Sequence, residues 1–304
     1  MSAPRPRWRQ SVGRVVRQLD YGAGHRWLDL DVRPPFALPR PGQFLQVVLP
    51  PIASPVLLPR PMSVAGATRL RRVPGQGGGL RLGFLYAPVG LGTLALAGLG
   101  AGDEVEVLGP LGRGYPLDEP GTPVLIAGGR GVAPLLFAAD ALAARPRAGG
   151  RVRRPVMLFG ARDRAHLVGL ADAHRRLAAL RGRLHVCTDD GSLGPKAHVV
   201  TLLERVAPTL RGPVVLYACG PHAMLKAVAR WALARGVRAW LAMESVMACG
   251  TGVCRGCPLP RSAAARKAFD PSRTPSLHGN REWAMCCTEG PVFEAGELDW
   301  ERIE

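Results

Sequence analysis

The stretch MACGTGVCRGC, residues 247–257, constrains this chain more than any other. It sets Cys249, Cys254 and Cys257 at C-x4-C-x2-C spacing, with Gly250, Gly252 and Gly256 between them. A short loop that gathers three sulfurs, with a further cysteine far along the chain, has the plant-type [2Fe-2S] spacing. Each iron of such a centre takes two thiolates, so a fourth sulfur must come from elsewhere. Cys286 and Cys287 are the candidates. Neighbouring side chains on an extended segment point to opposite sides, so one of the two should face the centre while the other packs. The glycines have no Cβ and let backbone N–H groups approach the sulfides, offsetting their charge. Structural zinc sites usually pair two short C-x2-4-C units, which this loop does not do.

The rest of the composition is that of a globular protein. Of 304 residues, 47% are apolar and 21% charged, enough for two or three units with sizeable cores. The first dozen residues, MSAPRPRWRQSV, are basic and lack the apolar core of a signal peptide. Seven cysteines, an odd number, then point to reduced thiols or metal ligation rather than a disulfide framework. The expected location is the cytoplasm. There is no run of about 18 apolar residues, so no membrane span is expected. The net charge of +17 invites a nucleic-acid reading. Only Lys196, Lys226 and Lys267 are lysines, however, so 37 of the 40 cationic residues are arginines, scattered and not interleaved with aromatics. A compositional bias rich in Ala, Gly and Pro accounts for them, and no nucleic-acid partner is expected.

Three textures follow one another. Residues 8–117 alternate short apolar runs with Gly and Pro turns, which predicts an antiparallel β-barrel over residues 1–118. Residues 122–240 alternate compact apolar runs (VLIAGG, VMLFGAR, LHVCTDDG, VVLYACGP) with longer Ala/Leu segments. That is the pattern of a doubly wound parallel α/β domain, assigned to 119–242, with its strand ends along one ligand-binding edge. Residues 243–304 hold the cysteine loop, a polar stretch from about 258 to 282, and CCTEGPVF, read as a small [2Fe-2S] domain. The fold class is therefore multidomain, β followed by α/β.

Two further groups of residues point to cofactors. In LLPRPMSVAG, Arg60 offers a two-pronged donor to a diphosphate, Pro61 stiffens the strand that carries Met62, and Ser63 can bond a flavin ring edge. Gly92 and Thr93 come before the short helical run LALAGL, either exposing amides to an anion or serving as a plain cap with Thr93 at the N-cap. In VLIAGGRGVAPLLFAA, a strand runs into Gly128, Gly129 and Gly131 and then into a helix with Pro134 at its first position. These glycines allow a dinucleotide's diphosphate to approach closely. YACGPHAML repeats the design with Cys219, Gly220 and Pro221, and places Cys219 where a nicotinamide ring would lie. Small-residue packing is the alternative role for Cys219. Flavin, dinucleotide and iron–sulfur elements on one chain describe an electron conduit. Hydride carries two electrons, a cluster one, and a flavin mediates between them.

The motifs RPMS, GLGT, VLGPLGRGY, AGGRGVAPL, TDDGSLG, YACGP and MACGTGVCRGC…CCTEGPVF occur in the order seen in electron-transfer subunits of class 1B dihydroorotate dehydrogenase. The chain resembles that family, within the ferredoxin–NADP reductase superfamily, from about residue 10 to 300. The resemblance implies FAD at Arg60–Ser63, at Leu85, Tyr86 and Ala87, and at Gly92 and Thr93. It implies [2Fe-2S] ligation by Cys249, Cys254 and Cys257, and it selects Cys287 as the fourth ligand. It implies NAD(H) as the soluble electron carrier. Although Arg162 and Arg164 follow the second predicted strand and could meet a 2′-phosphate, the resemblance favours NAD. The implied partner is an FMN-containing catalytic subunit that oxidises dihydroorotate to orotate, in a heterotetramer, so that the chain is an oxidoreductase subunit whose substrate site lies on another chain. A subunit of similar build serving a hydrogenase or a ferredoxin-linked NAD(P)H oxidoreductase is the alternative. Arg130, Ala87 and the long segment between Cys257 and Cys287 depart from the family pattern.

Overall fold

The structure is a computed structural model that describes residues 8–50, 56–71, 78–144 and 154–303. Its N-terminal unit is antiparallel throughout: β1 (Arg9–Gly22), β2 (His25–Val32), β3 (Phe44–Val48), β4 (Arg60–Ser63), β5 (Gly66–Arg69), β6 (Leu80–Tyr86) and β7 (Glu104–Leu111). The strands pair in the order β4-β3-β7-β1-β2-β6-β5. The two edge strands are consecutive in the chain. Val64 N donates to Gln43 O at 3.2 Å and Ala65 N to Gly83 O at 2.8 Å, so one run of backbone passes from β3 to β6 and the sheet curls round on itself. Alternate residues such as Leu28, Leu30, Leu82 and Phe84 fill the interior, and Phe137 from the next unit joins them. The helix α1 (Leu91–Ala97) connects β6 to β7.

The second unit is a sheet ordered β10-β9-β8-β11-β12-β15, from β8 (Thr122–Gly128), β9 (Val156–Ala161), β10 (Arg183–Thr188), β11 (Val214–Cys219), β12 (Arg238–Ala242) and β15 (Val292–Glu294). The first five are parallel and β15 is antiparallel. Strand alternation divides the apolar residues between two cores. Val124, Ile126 and Leu158 face α4 (Val199–Val206) and α5 (His222–Ala234), whereas Leu125, Ala127 and Phe159 face α2 (Val132–Ala143) and α3 (Leu170–Ala179). Helices on both faces explain why these strands are apolar throughout. Chain order reverses between β8 and β11, and the carboxyl ends of those two strands form the crevice where ligands bind in such sheets.

Residues 243–303 do not build a core of their own. β15 extends the second sheet beside β12, and Cys257, Leu259, Cys286, Cys287, Phe293 and Trp300 share the core beneath α4 and α5. The polar segment from 258 to 282 starts in a two-stranded ladder of β13 (Pro258–Pro260) with β14 (Trp283–Met285). It continues through α6 (Ala263–Ala268), whose first turn is capped by Ser262.

The barrel and the parallel-sheet unit meet across buried aromatics. Tyr115 Oη donates to Ala218 O at 2.8 Å, Tyr217 Oη donates to Pro116 O at 3.0 Å, and the two rings meet edge to face. No helix among the described residues is long and apolar enough to cross a membrane.

Candidate functional site

The unit interface opens into a cleft lined from every part of the chain. The barrel contributes Pro61, Met62, Ser63, Leu85, Tyr86, Ala87 and Thr93; the switch point contributes Gly131, Pro134 and Cys219; the C-terminal region contributes Glu244 and Met247. Arg60 stands beside it, over the first turn of α1. A Cβ on Gly92 would lie 2.5 Å from Arg60 Nε, so only glycine lets the guanidinium settle there. Arg60 Nη2 donates to Leu58 O at 2.7 Å, while Nε is buried and has no hydrogen-bond partner among the described residues. A buried, unpaired cationic donor at the edge of a cleft suits an anionic group such as a diphosphate. Tyr86 is fixed from behind. Its hydroxyl bonds Gln18 Oε1, and Gln18 Nε2 donates to Leu96 O and Leu99 O at the end of α1. Burial pushes the Tyr86 hydroxyl up to about 12, so it stays neutral. Gln18 thus ties Tyr86 to the end of α1, a link with no sequence signal because the bond spans 68 residues.

Helix α1 begins earlier than the sequence predicts. Its N-cap is Gly90, extended at φ −145°, and Thr93 is the third helical residue rather than the cap. The Thr93 hydroxyl folds back to accept from Val89 N at 3.0 Å and Gly90 N at 3.1 Å. In the same way α2 starts at Val132, which puts Pro134 at its third position rather than its first. A proline is tolerated there because first-turn N–H groups have no intrahelical partner.

At the switch point the two Gly-rich turns are pressed together. A Cβ on Gly131 would meet Cys219 O at 2.3 Å, one on Gly128 would meet Met224 Sδ at 2.6 Å, and one on Gly220 would meet Gly128 Cα at 3.0 Å. Glycine here is a packing requirement, and it brings both turns to the same crevice. Gly128, Gly129, Gly220 and Pro221 are not among the residues that line the cleft. Arg130 and Glu244 face each other across the cleft, their charged atoms 3.6 Å apart and both side chains half-exposed. Cys219 is buried beside them, and burial, with the Glu244 charge, keeps its thiol neutral well above the ordinary range. Arg162 is engaged within its own turn by Asp163 and His166, and Arg164 N donates to Ser192 Oγ at 2.8 Å.

The cysteine loop is laced with N–H···S bonds. Thr251 N and Cys254 N both donate to Cys249 Sγ at 3.4 Å, Gly256 N donates to Cys254 Sγ at 3.4 Å, and Cys287 N donates to Cys257 Sγ at 3.4 Å. Burial alone would raise the Cys249 thiol, but the amides of Cys254 and Thr251 outweigh it and hold it at about 6. A hydrogen bond from the Cys287 thiol is the main cause that brings Cys257 down to about 7. Giving that bond, and lying near two negative sulfurs, pushes Cys287 up. Cys286 is fully buried, and burial is the main cause that raises its thiol. Backbone donors aimed at sulfur fit thiolates that ligate an electron-rich centre. Among the described residues no three His, Cys, Asp or Glu side chains are drawn together as a single-metal site. Arg255, itself at φ +59°, holds the following segment over the loop by donating to Ser276 O at 2.6 Å and to His278 O.

Residues 125–230 match the model of the oxidoreductase NAD-binding domain family. Among solved structures, the chain is similar to the one described under "Insights into flavin-based electron bifurcation via the NADH-dependent reduced ferredoxin-NADP oxidoreductase structure". The TM-score is 0.71 with 25% identity, covering 95% of this chain and 90% of that one. It shares the fold of the flavohem-like FAD/NAD binding domain of nitric oxide dioxygenase from Vibrio cholerae, at TM-score 0.58 and 20% identity over 75% of this chain and 94% of that one. The electron transfer subunit of dihydroorotate dehydrogenase B (NAD(+)) from Desulforamulus reducens is 33% identical over 86% of this chain and 87% of its own length. The Geobacillus kaustophilus subunit of the same name is 36% identical over 85% of this chain and 86% of its own length. On matches of this identity and length, the chain belongs to the family of dihydroorotate dehydrogenase B electron transfer subunits.

Proposed function

We propose that this chain passes electrons between NAD and a partner flavoenzyme that oxidises dihydroorotate to orotate. FAD would lie in the cleft, and a [2Fe-2S] centre would be held by Cys249, Cys254, Cys257 and Cys287. The observation that carries this reading is the shared wall of the cleft: the flavin-associated segments, the dinucleotide turn and Met247 at the head of the cysteine loop all line it. Bound FAD supplies two-electron exchange with a nicotinamide and one-electron exchange with an iron–sulfur centre.

The chain's own residues bind and orient. Arg60 offers its unpaired Nε to a diphosphate, and Gly92 gives the guanidinium room. Leu85, Tyr86 and Ala87 wall the cleft beside Ser63, which can bond a ring edge. Gly131 and Cys219 set the depth to which a nicotinamide enters, and the neutral Cys219 thiol adds no charge to the ring site. The N–H groups that donate to the Cys249 and Cys257 sulfurs favour the thiolate forms that would ligate iron. Neither acid–base triad nor nucleophile is needed, and dihydroorotate chemistry falls to an FMN-containing catalytic subunit in a heterotetramer. The expected compartment is the cytoplasm.

Absorption spectroscopy of anaerobically purified protein tests this. A flavin band with an iron–sulfur shoulder, bleached by NADH and followed by a reduced-cluster EPR signal, is expected; a colourless protein without iron overturns it. The similarity to the ferredoxin-linked structure keeps a second reading in view. Co-purification with a dihydroorotate-oxidising subunit supports the first, and NADH-dependent reduction of ferredoxin without such a partner supports the second.

A further inference from the structure

Gln46 is a fully buried polar side chain whose amide has no side-chain partner among the described residues. It sits on β3 opposite Pro61 of β4, with its amide directed at the cysteine loop. Oriented to satisfy both ends, its oxygen accepts from Gly250 N at 3.2 Å and its nitrogen donates to Arg60 O at 3.3 Å. Turned over, its nitrogen donates to Ala248 O at 3.4 Å. In either orientation, therefore, one barrel side chain bonds the backbone of the cysteine loop across about 200 residues of chain. The loop is shaped to receive it. Gly250 takes φ +73°, and a Cβ there would lie 2.7 Å from Gln46 Nε2. A buried amide without these bonds would cost the full desolvation of its polar atoms.

We infer that Gln46 is a positioning residue that registers the cysteine loop against the flavin-associated strand. The separation of the two redox sites is then set by the barrel rather than by the loop. This rests on the proposed function, because only a flavin at Arg60–Ser63 and a metal centre at the loop give that register its purpose. The bland alternative is that Gln46 fills space, and an apolar side chain would do as well.

Hydrogen exchange of the full chain, read over residues 248–252, separates the two. Gln46→Leu keeps the bulk and removes the bonds. Gln46→Asn, one methylene shorter, withdraws the amide and serves should the leucine variant fail to fold. Amide exchange across 248–252 should quicken by about tenfold, the loss of one net hydrogen bond, and iron should be lost to a chelator faster than from the wild type. Exchange that matches the wild type in the variant that folds overturns the inference. A wild-type protein devoid of flavin and iron overturns the proposed function instead, and the exchange comparison still decides whether Gln46 ties the loop.

Discussion

Cys287 meets Cys257 across thirty residues of chain, its backbone N–H 3.4 Å from the Cys257 sulfur and its thiol donating to the same atom. Cys286, next to it, points into the core and uses its backbone N to bond Cys257 O at 2.9 Å. The two neighbours should therefore separate cleanly on substitution. On the proposed ligation Cys287→Ala takes away one of four ligands, and iron affinity should fall by more than about 100-fold, beyond the range seen for outer-shell partners. Cys286→Ala should keep its iron and lose about 1 kcal/mol of stability from a small buried void. Iron and sulfide per chain, with urea unfolding, check both; iron lost from the Cys286 variant alone would reverse the assignment.

Gly131 cannot carry a side chain without moving β11, because the added carbon would sit 2.3 Å from a backbone carbonyl rather than a mobile side chain. Gly131→Ala should cost about 1–3 kcal/mol through overpacking. It should also raise KM for NADH, since the two Gly-rich turns would be pushed apart where the dinucleotide enters. Gly129→Ala, with open space around it but φ +52°, should cost less. Denaturant midpoints for the pair give the comparison.

The Gly92–Arg60 contact makes a different prediction, because the atom in the way belongs to a flexible side chain. Gly92→Ala should fold with nearly unchanged stability while displacing the guanidinium. Flavin affinity should then drop by about tenfold, the loss of one charge-assisted hydrogen bond. Arg60→Lys should resemble it, since an ammonium cannot make the two-pronged contact. Fluorescence titration of the deflavinated protein with FAD measures the change; unaltered affinity in both variants would remove Arg60 from the flavin site.

Arg130 and Glu244 form a half-exposed pair at 3.6 Å, a type that contributes under about 1 kcal/mol to stability. Its effect should appear in binding instead. Arg130→Ala should raise KM for NADH by about tenfold through loss of a cation beside the dinucleotide turn. Glu244→Gln frees that cation and should lower the Kd for ADP-ribose. Both effects should shrink as salt rises. Inhibition by ADP-ribose at low and high ionic strength reads both variants.

Much of this arrangement is legible in the sequence, for identifiable reasons. Parallel strands buried on both faces write continuous apolar runs ending in glycine, so VLIAGG and VVLYACGP mark β8 and β11 and, with them, the crevice. Cysteine spacing is local, and it brings three candidate sulfurs onto one loop. The start of α1 is displaced because a glycine in extended backbone acts as its cap: Gly90 begins the helix while Thr93 supplies the hydroxyl from inside. β15 has only three residues and gains its stability from pairing with β12, information held in no local window. Gln18 and Gln46 look like ordinary strand polar residues, and only the curl of the barrel turns them toward α1 and the cysteine loop.

The ion pair of Arg261 with Glu289 anchors the segment that follows the cysteine loop. Both side chains are largely buried, at 11% and 14% exposure, which takes this pair out of the weak surface class. Glu289 also accepts from Gly279 N and Met285 N, each at 2.8 Å, so one carboxylate closes both ends of the excursion from 258 to 285. Removing it leaves two amides without their acceptor and a largely buried guanidinium without its counter-charge, its Nε still donating to Asn280 O at 2.8 Å. Glu289→Ala should therefore destabilise the protein by about 3–5 kcal/mol, the range for breaking a buried pair from one side. Glu289→Gln should cost less, because it keeps an acceptor for the amides. Adding Arg261→Met to Glu289→Ala should recover part of the loss, since no buried charge is then left alone. Urea unfolding of the three variants measures the series, and a Glu289→Ala cost within the surface range of about 1 kcal/mol would mean that water reaches the pair and that the segment is anchored elsewhere.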